Sequence, residues 1–217
     1  MEIDSAYIYE ATTRVLSDRP TGPVDALFFH NRAEGDDTGL LTMAKQILGR
    51  SRARYIVVTN NEGERFGSDI KYEANPGKTE YIRRLQESGV PYSQILVPDM
   101  FATNVREENT AFIHLAKEQG WSKAAQLTQP HQALRAMLGA VQEMNQIGYL
   151  MELYALTPTS TPWFEVAKGS QGLEEKPRKE HIKDELGRIV RYQSTGELAT
   201  FAELSAYYEA RESRLLF

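Results

Sequence analysis

The sequence predicts an α/β protein: a three-layer, Rossmann-like parallel sheet of about five strands with a C-terminal helical extension. Three observations carry this. Short apolar runs alternate with stretches of helical periodicity between residues 24 and 156. The connections between them are short, which points to parallel pairing through helical crossovers. After Leu156 the texture changes to a turn-rich linker, Thr157 to Pro162, and then to amphipathic helical stretches. The expected division is residues 1–158 for the α/β domain with an N-terminal helix, and 159–217 for the linker and helical extension.

The elements follow in order. Ile3, Tyr7, Ile8, Ala11, Val15 and Leu16 recur at helical spacing, and Arg19-Pro20-Thr21-Gly22-Pro23 stops that helix. Val24 to Phe29 reads as a buried strand, followed by a polar loop over 30–37 and a helix over 38–49. Tyr55 to Val58 is a second strand, ending in the turn Thr59-Asn60-Asn61-Glu62-Gly63-Glu64-Arg65, with a polar loop to Lys78 and a helix over 79–88. Gln94 to Val97 is the third strand and Thr103 to Gln119 its helix; Ala124 to Thr128 is the fourth, with a helix opened by Gln129-Pro130-His131 and running to Gln146. Tyr149 to Leu156 is the fifth strand. Residues 169–176 read as a polar connection, and 178–193 and 201–216 as two helices that cover the sheet, meet a partner subunit or complete the site.

Composition narrows the function. A chain of 217 residues with 41% apolar and 25% charged residues can bury a core. The net charge of -5, without a basic patch interleaved with aromatics, argues against nucleic acid as the main partner. The absence of cysteine excludes disulfides, thiolate catalysis and cysteine metal sites. The N-terminus Met1-Glu2-Ile3-Asp4 is acidic and has no long apolar run, so neither a signal peptide nor a membrane span is expected, and the default location is cytoplasmic. The dinucleotide fingerprint, the P-loop and the nucleophile elbow are all missing.

The densest polar stretch is Thr103-Asn104-Val105-Arg106-Glu107-Glu108-Asn109, with two amides, one cation and two carboxylates in seven residues. It stands where a strand turns into a helix, and the helix's first amides there are open to anions and polar ligands. Asn104 can serve as N-cap with Glu107 at the third helical position, as in a capping box. Capping explains neither Arg106, set against the positive end of the helix dipole, nor Asn109.

Ligands of open parallel sheets bind outside the carboxyl ends of the strands, and every loop at that edge is polar. The first supplies His30, Asn31, Arg32 and Glu34; the second Asn60, Asn61 and Glu62; the third Thr103, Asn104, Arg106, Glu107 and Asn109; the fourth Gln129, His131 and, one turn on, Arg135. Singly these have plain structural readings: His131 as a hydrogen-bonded cap, Asn60 and Asn61 as turn formers, Arg135 as a surface residue pairing with Glu143 or solvent. Their convergence is the stronger signal. His30, Glu34, Asp36 and Asp37 match no standard metal-ligand spacing, so no metal is expected.

Gly89-Val90-Pro91, Ile95 to Asp99 and Thr103 to Asn109, together with Leu127-Thr128-Gln129-Pro130-His131-Gln132-Ala133-Leu134-Arg135-Ala136, resemble the paired motifs of the YdcF/SanA/ElyC family over roughly residues 24–158. The first-strand turn, His30 to Gly35, lacks the family's glycine-rich character, Thr59-Asn60-Asn61 stands in place of its Ser-Gly-Gly, and Glu73-Ala74 and Glu80 do not keep the spacing of its glutamate-alanine pair. The resemblance implies a Rossmann-like domain, nucleotide-type ligands such as S-adenosylmethionine, and a link to cell-envelope maintenance. It supplies no reaction and no cofactor.

Two functional readings stand side by side. In the first, the chain is an enzyme acting on a phosphorylated or nucleotide-like small molecule. Arg32, Arg106 and Arg135 hold anionic groups, Asn104 and Asn109 orient the ligand, and His131 is the general acid or base with Glu107 or Glu62 as its partner. In the second it is a non-catalytic binding module. Either way the expected partner is an anionic small molecule, and the C-terminal helices are the surface on which a homo-oligomer would form.

Overall fold

Five short runs rich in Val, Ile, Leu, Phe and Ala become one sheet because each buries both faces. In the computed structural model, which describes residues 5–33, 37, 39–50, 52–63, 75–169 and 175–213, they are β1 (Val24–Phe29), β2 (Ala53–Val58), β3 (Ile95–Leu96), β4 (Lys123–Leu127) and β5 (Glu152–Leu156). Their order is β3-β2-β1-β4-β5 and every neighbouring pair is parallel. The helices are α1 (Ser5–Ser17), α2 (Leu40–Gly49), α3 (Lys78–Glu87), α4 (Val105–Gln119), α5 (Pro130–Ile147), α6 (Arg178–Ser194) and α7 (Phe201–Glu212). The chain builds outward from β1 in one direction through β2 and β3, then returns to place β4 and β5 on its other side. The crevice where the order reverses lies between the ends of β1 and β4.

The two-residue period of the strands divides the core into two layers. Leu27, Phe29, Ile56 and Val58 pack against Leu40 and Leu48 of α2 and Tyr81 and Leu85 of α3. Ala26, Phe28, Val57 and Ala124 face α1, α4 and α5, where Phe28 stacks on Phe112 with ring centroids 4.5 Å apart. Ile189, Leu198, Leu204, Tyr207 and Tyr208 of the C-terminal extension enter this second layer. Tyr207 ties α7 to β5 directly: its hydroxyl accepts the Leu153 N–H at 2.7 Å and donates to the Met151 carbonyl at 2.8 Å.

The sequence reading needs correction at three places. The third strand is two residues rather than four, because Tyr92–Gln94 wind into a 3-10 turn and Pro98 closes off the edge strand with no amide to donate. The fifth strand begins at Glu152 rather than Tyr149, whose hydroxyl instead reaches the Ala116 carbonyl at 3.2 Å. Glu175 and Lys176, read as the end of a polar connection, form with Pro177 a strand that pairs antiparallel with Val166–Lys168 (β7 and β6). Helix α7 is described to Glu212, and the end of its expected span, 214–216, lies outside the described residues, as do 64–74 in the expected loop and the candidates Glu34, Asp36 and Glu73-Ala74.

A buried ion pair holds the termini to the sheet. Arg211 donates to both carboxylate oxygens of Asp18, at 2.7 and 2.9 Å, and to the Leu153 carbonyl at 2.6 Å, while Asp18 also accepts the Ala155 N–H at 3.1 Å. Both side chains are buried, so removing one partner leaves an uncompensated charge. Arg211→Ala is expected to lower the unfolding free energy by about 3–5 kcal/mol, measurable by urea denaturation; a loss below about 1 kcal/mol would mean that the pair does not anchor the helix.

Candidate functional site

The carboxyl ends of β1, β2 and β3 and the start of α4 meet α5 and α6 around a small, solvent-open cavity of about 70 Å3 at the reversal crevice. It is lined by Asn31, Arg32, Asn61, Asn75, Ala102, Thr103, Asn104, Val105, Glu108, Arg135, Arg188 and Tyr192. Among these described residues are three guanidinium groups, one carboxylate and four amide side chains. A second, outer cleft of about 470 Å3 shares Asn104, Val105, Arg135 and Tyr192 with it and continues past Met100, Phe101, Arg106 and Leu198.

The α4 terminus is capped as its sequence suggests. The Asn104 side chain accepts the Glu107 N–H at 3.0 Å, and the Glu107 carboxylate reaches back to the Thr103 N–H at 2.7 Å and the Thr103 hydroxyl at 2.8 Å. Glu107 therefore serves the cap and lines the outer cleft. The carboxylate in the inner cavity is its neighbour Glu108, which is buried on the same helix face as Phe112.

Glu108 stands in a buried polar network. His30 Nδ1–H donates to Glu108 Oε2 at 2.7 Å, and His30 Nε2 meets the Gln126 side-chain oxygen at 3.2 Å. The Asn31 N–H and the Thr59 hydroxyl reach Glu108 Oε1 at 3.3 and 3.4 Å. His30 and Gln126 point to the α4–α5 side of the sheet because both continue the strand alternation that places Phe28 there, opposite Gln126 in register.

The cations converge from three elements. Arg32 follows β1 and donates to Gln132 of α5, while its backbone N–H and carbonyl both bond the Tyr81 hydroxyl. Arg135 of α5 forms a two-pronged pair with Glu185 of α6, and Arg188 of α6 donates to the same carboxylate. Burial works against charge on Glu185, but Arg135 outweighs it, and with Arg188 and Arg32 holds the carboxyl down to about 2. Burial likewise opposes the Arg135 charge, and Glu185 overrides it, raising the guanidinium above its ordinary value. The expected surface pairing of Arg135 with Glu143 is replaced by this buried one.

The other sequence candidates divide. Asn31 lines the cavity, and among the described residues neither polar atom of its side chain has a hydrogen-bond partner. Asn61 also lines it, held by bonds to the Ala102 carbonyl and the Gly63 N–H. Asn60 lies outside the lining, pinned between the Asp99 carbonyl and the Lys78 ammonium. Glu62 caps α3 through the Thr79 N–H and hydroxyl, and its carboxyl is lowered: slight burial works against ionisation, but the Thr79 bonds and Lys78 outweigh it. Glycine is required at position 77, where φ is +82° and a Cβ would come within 2.7 Å of the Glu62 backbone.

Arg106 sits in the outer cleft and pairs with Glu197 at 3.1 Å, an exposed contact that accounts for a cation at the wrong end of the dipole. Asn109 is buried between α4 and α5, donating to the Ala136 carbonyl at 3.1 Å beside Gly139. Gln129 is buried at the N-cap position of α5 and does not line the cavity. His131 likewise lies outside the lining, with its ring 6.0 Å from His181 and 6.4 Å from Trp163, beneath the extension.

The residues missed in the sequence are Glu108, Gln126, Glu185, Arg188 and Tyr192. Signals existed for some: Gln126 interrupts an otherwise apolar strand run, and Glu108 occupies the apolar stripe of its helix, four residues before Phe112. Glu185 carries the same signal, three residues after Ile182 and four before Ile189 on one stripe of α6. Among the described residues no group of three His, Asp or Glu side chains is placed to hold a metal, and no helix is long and apolar enough to cross a membrane.

The lowered Glu185 carboxyl contributes stability that is complete above the ordinary glutamate value of 4.5 and is lost as pH falls towards about 2. Glu185→Gln is therefore expected to cost about 3 kcal/mol near neutral pH, with the gap to wild type closing on acidification. Thermal unfolding followed from neutral to acid pH checks this; a gap that stays constant would remove the carboxylate's charge as the cause.

Comparison of the chain with family models, curated proteins and solved structures finds no match.

Proposed function

We propose that this protein binds and acts on a phosphorylated or nucleotide-like small molecule at the carboxyl edge of its sheet. The observation that carries the reading is the convergence of Arg32, Arg135 and Arg188 on one cavity with a single lining carboxylate among the described residues. Guanidinium groups present planar pairs of donors that match phosphate and carboxylate oxygens. The α4 terminus adds its dipole to the same place. Asn31, with buried and unpartnered amide atoms, supplies both a donor and an acceptor for the ligand. The resemblance of residues 103–109 and 127–136 to the YdcF/SanA/ElyC motifs supports the same placement, since Thr103, Asn104, Glu108 and Arg135 from those stretches line the cavity. Membership of that family and a role in envelope maintenance belong to the proposal.

A second reading, a binding module without chemistry for ligands of the nucleotide or S-adenosylmethionine type, draws on one observation: His131 lies outside the cavity lining. Turnover separates the two readings, since a module consumes no ligand.

Arg188 is the cation to remove, because it is partly exposed and Glu185 keeps Arg135 as its partner without it. Arg188→Ala is expected to weaken binding by about 1.5–3 kcal/mol, roughly ten- to a hundred-fold in affinity, with little change in melting midpoint. Calorimetry against inorganic phosphate, sugar phosphates, nucleotides and S-adenosylmethionine checks this. No binding at millimolar ligand, or wild-type affinity in the variant, would contradict the proposal.

A further inference from the structure

We propose that Glu108 is the proton-transfer group of the cavity and that His30 positions it. The inference rests on the reading of the cavity as an anion site and adds what that site does with a proton. Glu108 is the one carboxylate among the described lining residues, and the His131 ring lies elsewhere. Its two oxygens are unequal. Oε2 is committed to His30 at 2.7 Å, whereas Oε1 has only the longer contacts from the Asn31 N–H and Thr59 hydroxyl, at 3.3 and 3.4 Å. Oε1 therefore keeps acceptor capacity for a ligand.

The groups facing Glu108 come from every element around it. His30 and Arg32 follow β1, Thr59 follows β2, and Arg135 projects from α5. Glu185 and Arg188 of α6 stand behind Arg135. Three of these neighbours are guanidinium groups. A ligand anion brought alongside sets a like charge against the carboxylate, and two like charges at hydrogen-bond distance do not both stay ionised. One proton must lie between the ligand oxygen and Oε1. A ligand hydroxyl or protonated phosphate supplies it: the ligand O–H bond breaks, an O–H bond forms at Oε1, and the electron pair stays on the ligand oxygen beside the arginines. A fully ionised ligand must take the proton from solvent.

His30 acts through Glu108. Its ring is buried, reaches Gln126 through the other nitrogen and packs on Phe28 with centroids 4.5 Å apart. That three-sided support fixes the imidazole, and the imidazole fixes which carboxylate oxygen faces the ligand.

Calorimetry of the whole chain with methyl phosphate, which is fully ionised at about pH 8 and brings no proton of its own, in two buffers of different ionisation enthalpy reads the proton drawn from solvent directly. Wild type is expected to take up about one proton per methyl phosphate bound. Glu108→Gln is expected to take up none and to bind methyl phosphate roughly tenfold more tightly, having lost the like charge. His30→Gln is expected to keep the uptake but move the pH at which it is half complete, with the fold intact by melting. If Glu108→Gln fails to fold, Glu108→Asp, whose shorter carboxylate withdraws from the ligand, is expected to lose most of the uptake. Unchanged proton uptake in either Glu108 variant overturns the assignment of Glu108 alone, and an unmoved pH profile in His30→Gln overturns the positioning role. Methyl phosphate bound by neither wild type nor variant overturns the anion-site reading and this inference together.

Discussion

The Arg135–Glu185 pair is the interaction on which the site depends. It lies between α5, which follows the interior strand β4, and α6, which belongs to the C-terminal extension. Two charges withdrawn from water are costly unless each is fully paired, and here Glu185 is shared by two guanidinium groups while Arg135 is held two-pronged. The extension is thereby fixed in the register that brings Arg188 and Tyr192 to the cavity. Without that pairing the cavity would lose the wall that α6 supplies, Arg188 and Tyr192.

A second constraint is the burial of polar side chains at the reversal crevice. His30, Gln126, Glu108 and Thr59 satisfy one another in a network between the sheet and α4. Such a network is rigid when its members are satisfied and unfavourable when one is missing. A core built only for stability would place apolar residues at Gln126 and Glu108, which sit on a buried strand and an apolar helix stripe. The molecule spends core positions on a carboxylate that reaches a solvent-open cavity, and that choice is intelligible if the carboxylate meets a ligand.

Much of the fold was legible because it is local. Apolar runs of strand length alternating with helical periodicity specify a parallel sheet whatever the loops do, and the Asn104 cap and the polar carboxyl edge follow from short-range pattern. The site was legible to the extent that its residues stand just past strand ends, as Asn31, Arg32 and Asn61 do, or cap a helix, as Asn104 does. It was illegible where tertiary contact decides. Arg106 looked like a ligand residue because its partner, Glu197, is distant in sequence. His131 and Arg135 share a helix face, yet His131 lies beside Trp163 and His181 while Arg135 meets the cavity. Glu107 and Glu108 are adjacent and chemically identical; one is exposed and serves the cap, the other is buried and paired with His30, and only the rotation of α4 against β1 distinguishes them.

The most direct test of the account follows the arginine side chains themselves. In a titration of isotope-labelled protein with inorganic phosphate, the Nε–H resonances of Arg32, Arg135 and Arg188 are expected to shift together and saturate with one affinity, while those of Arg14 and Arg211, at the far edge of the sheet, stay in place. Shifts confined to Arg106, Arg14 or Arg211, with the three cavity arginines unmoved, would contradict the claim that the reversal crevice is an anion site.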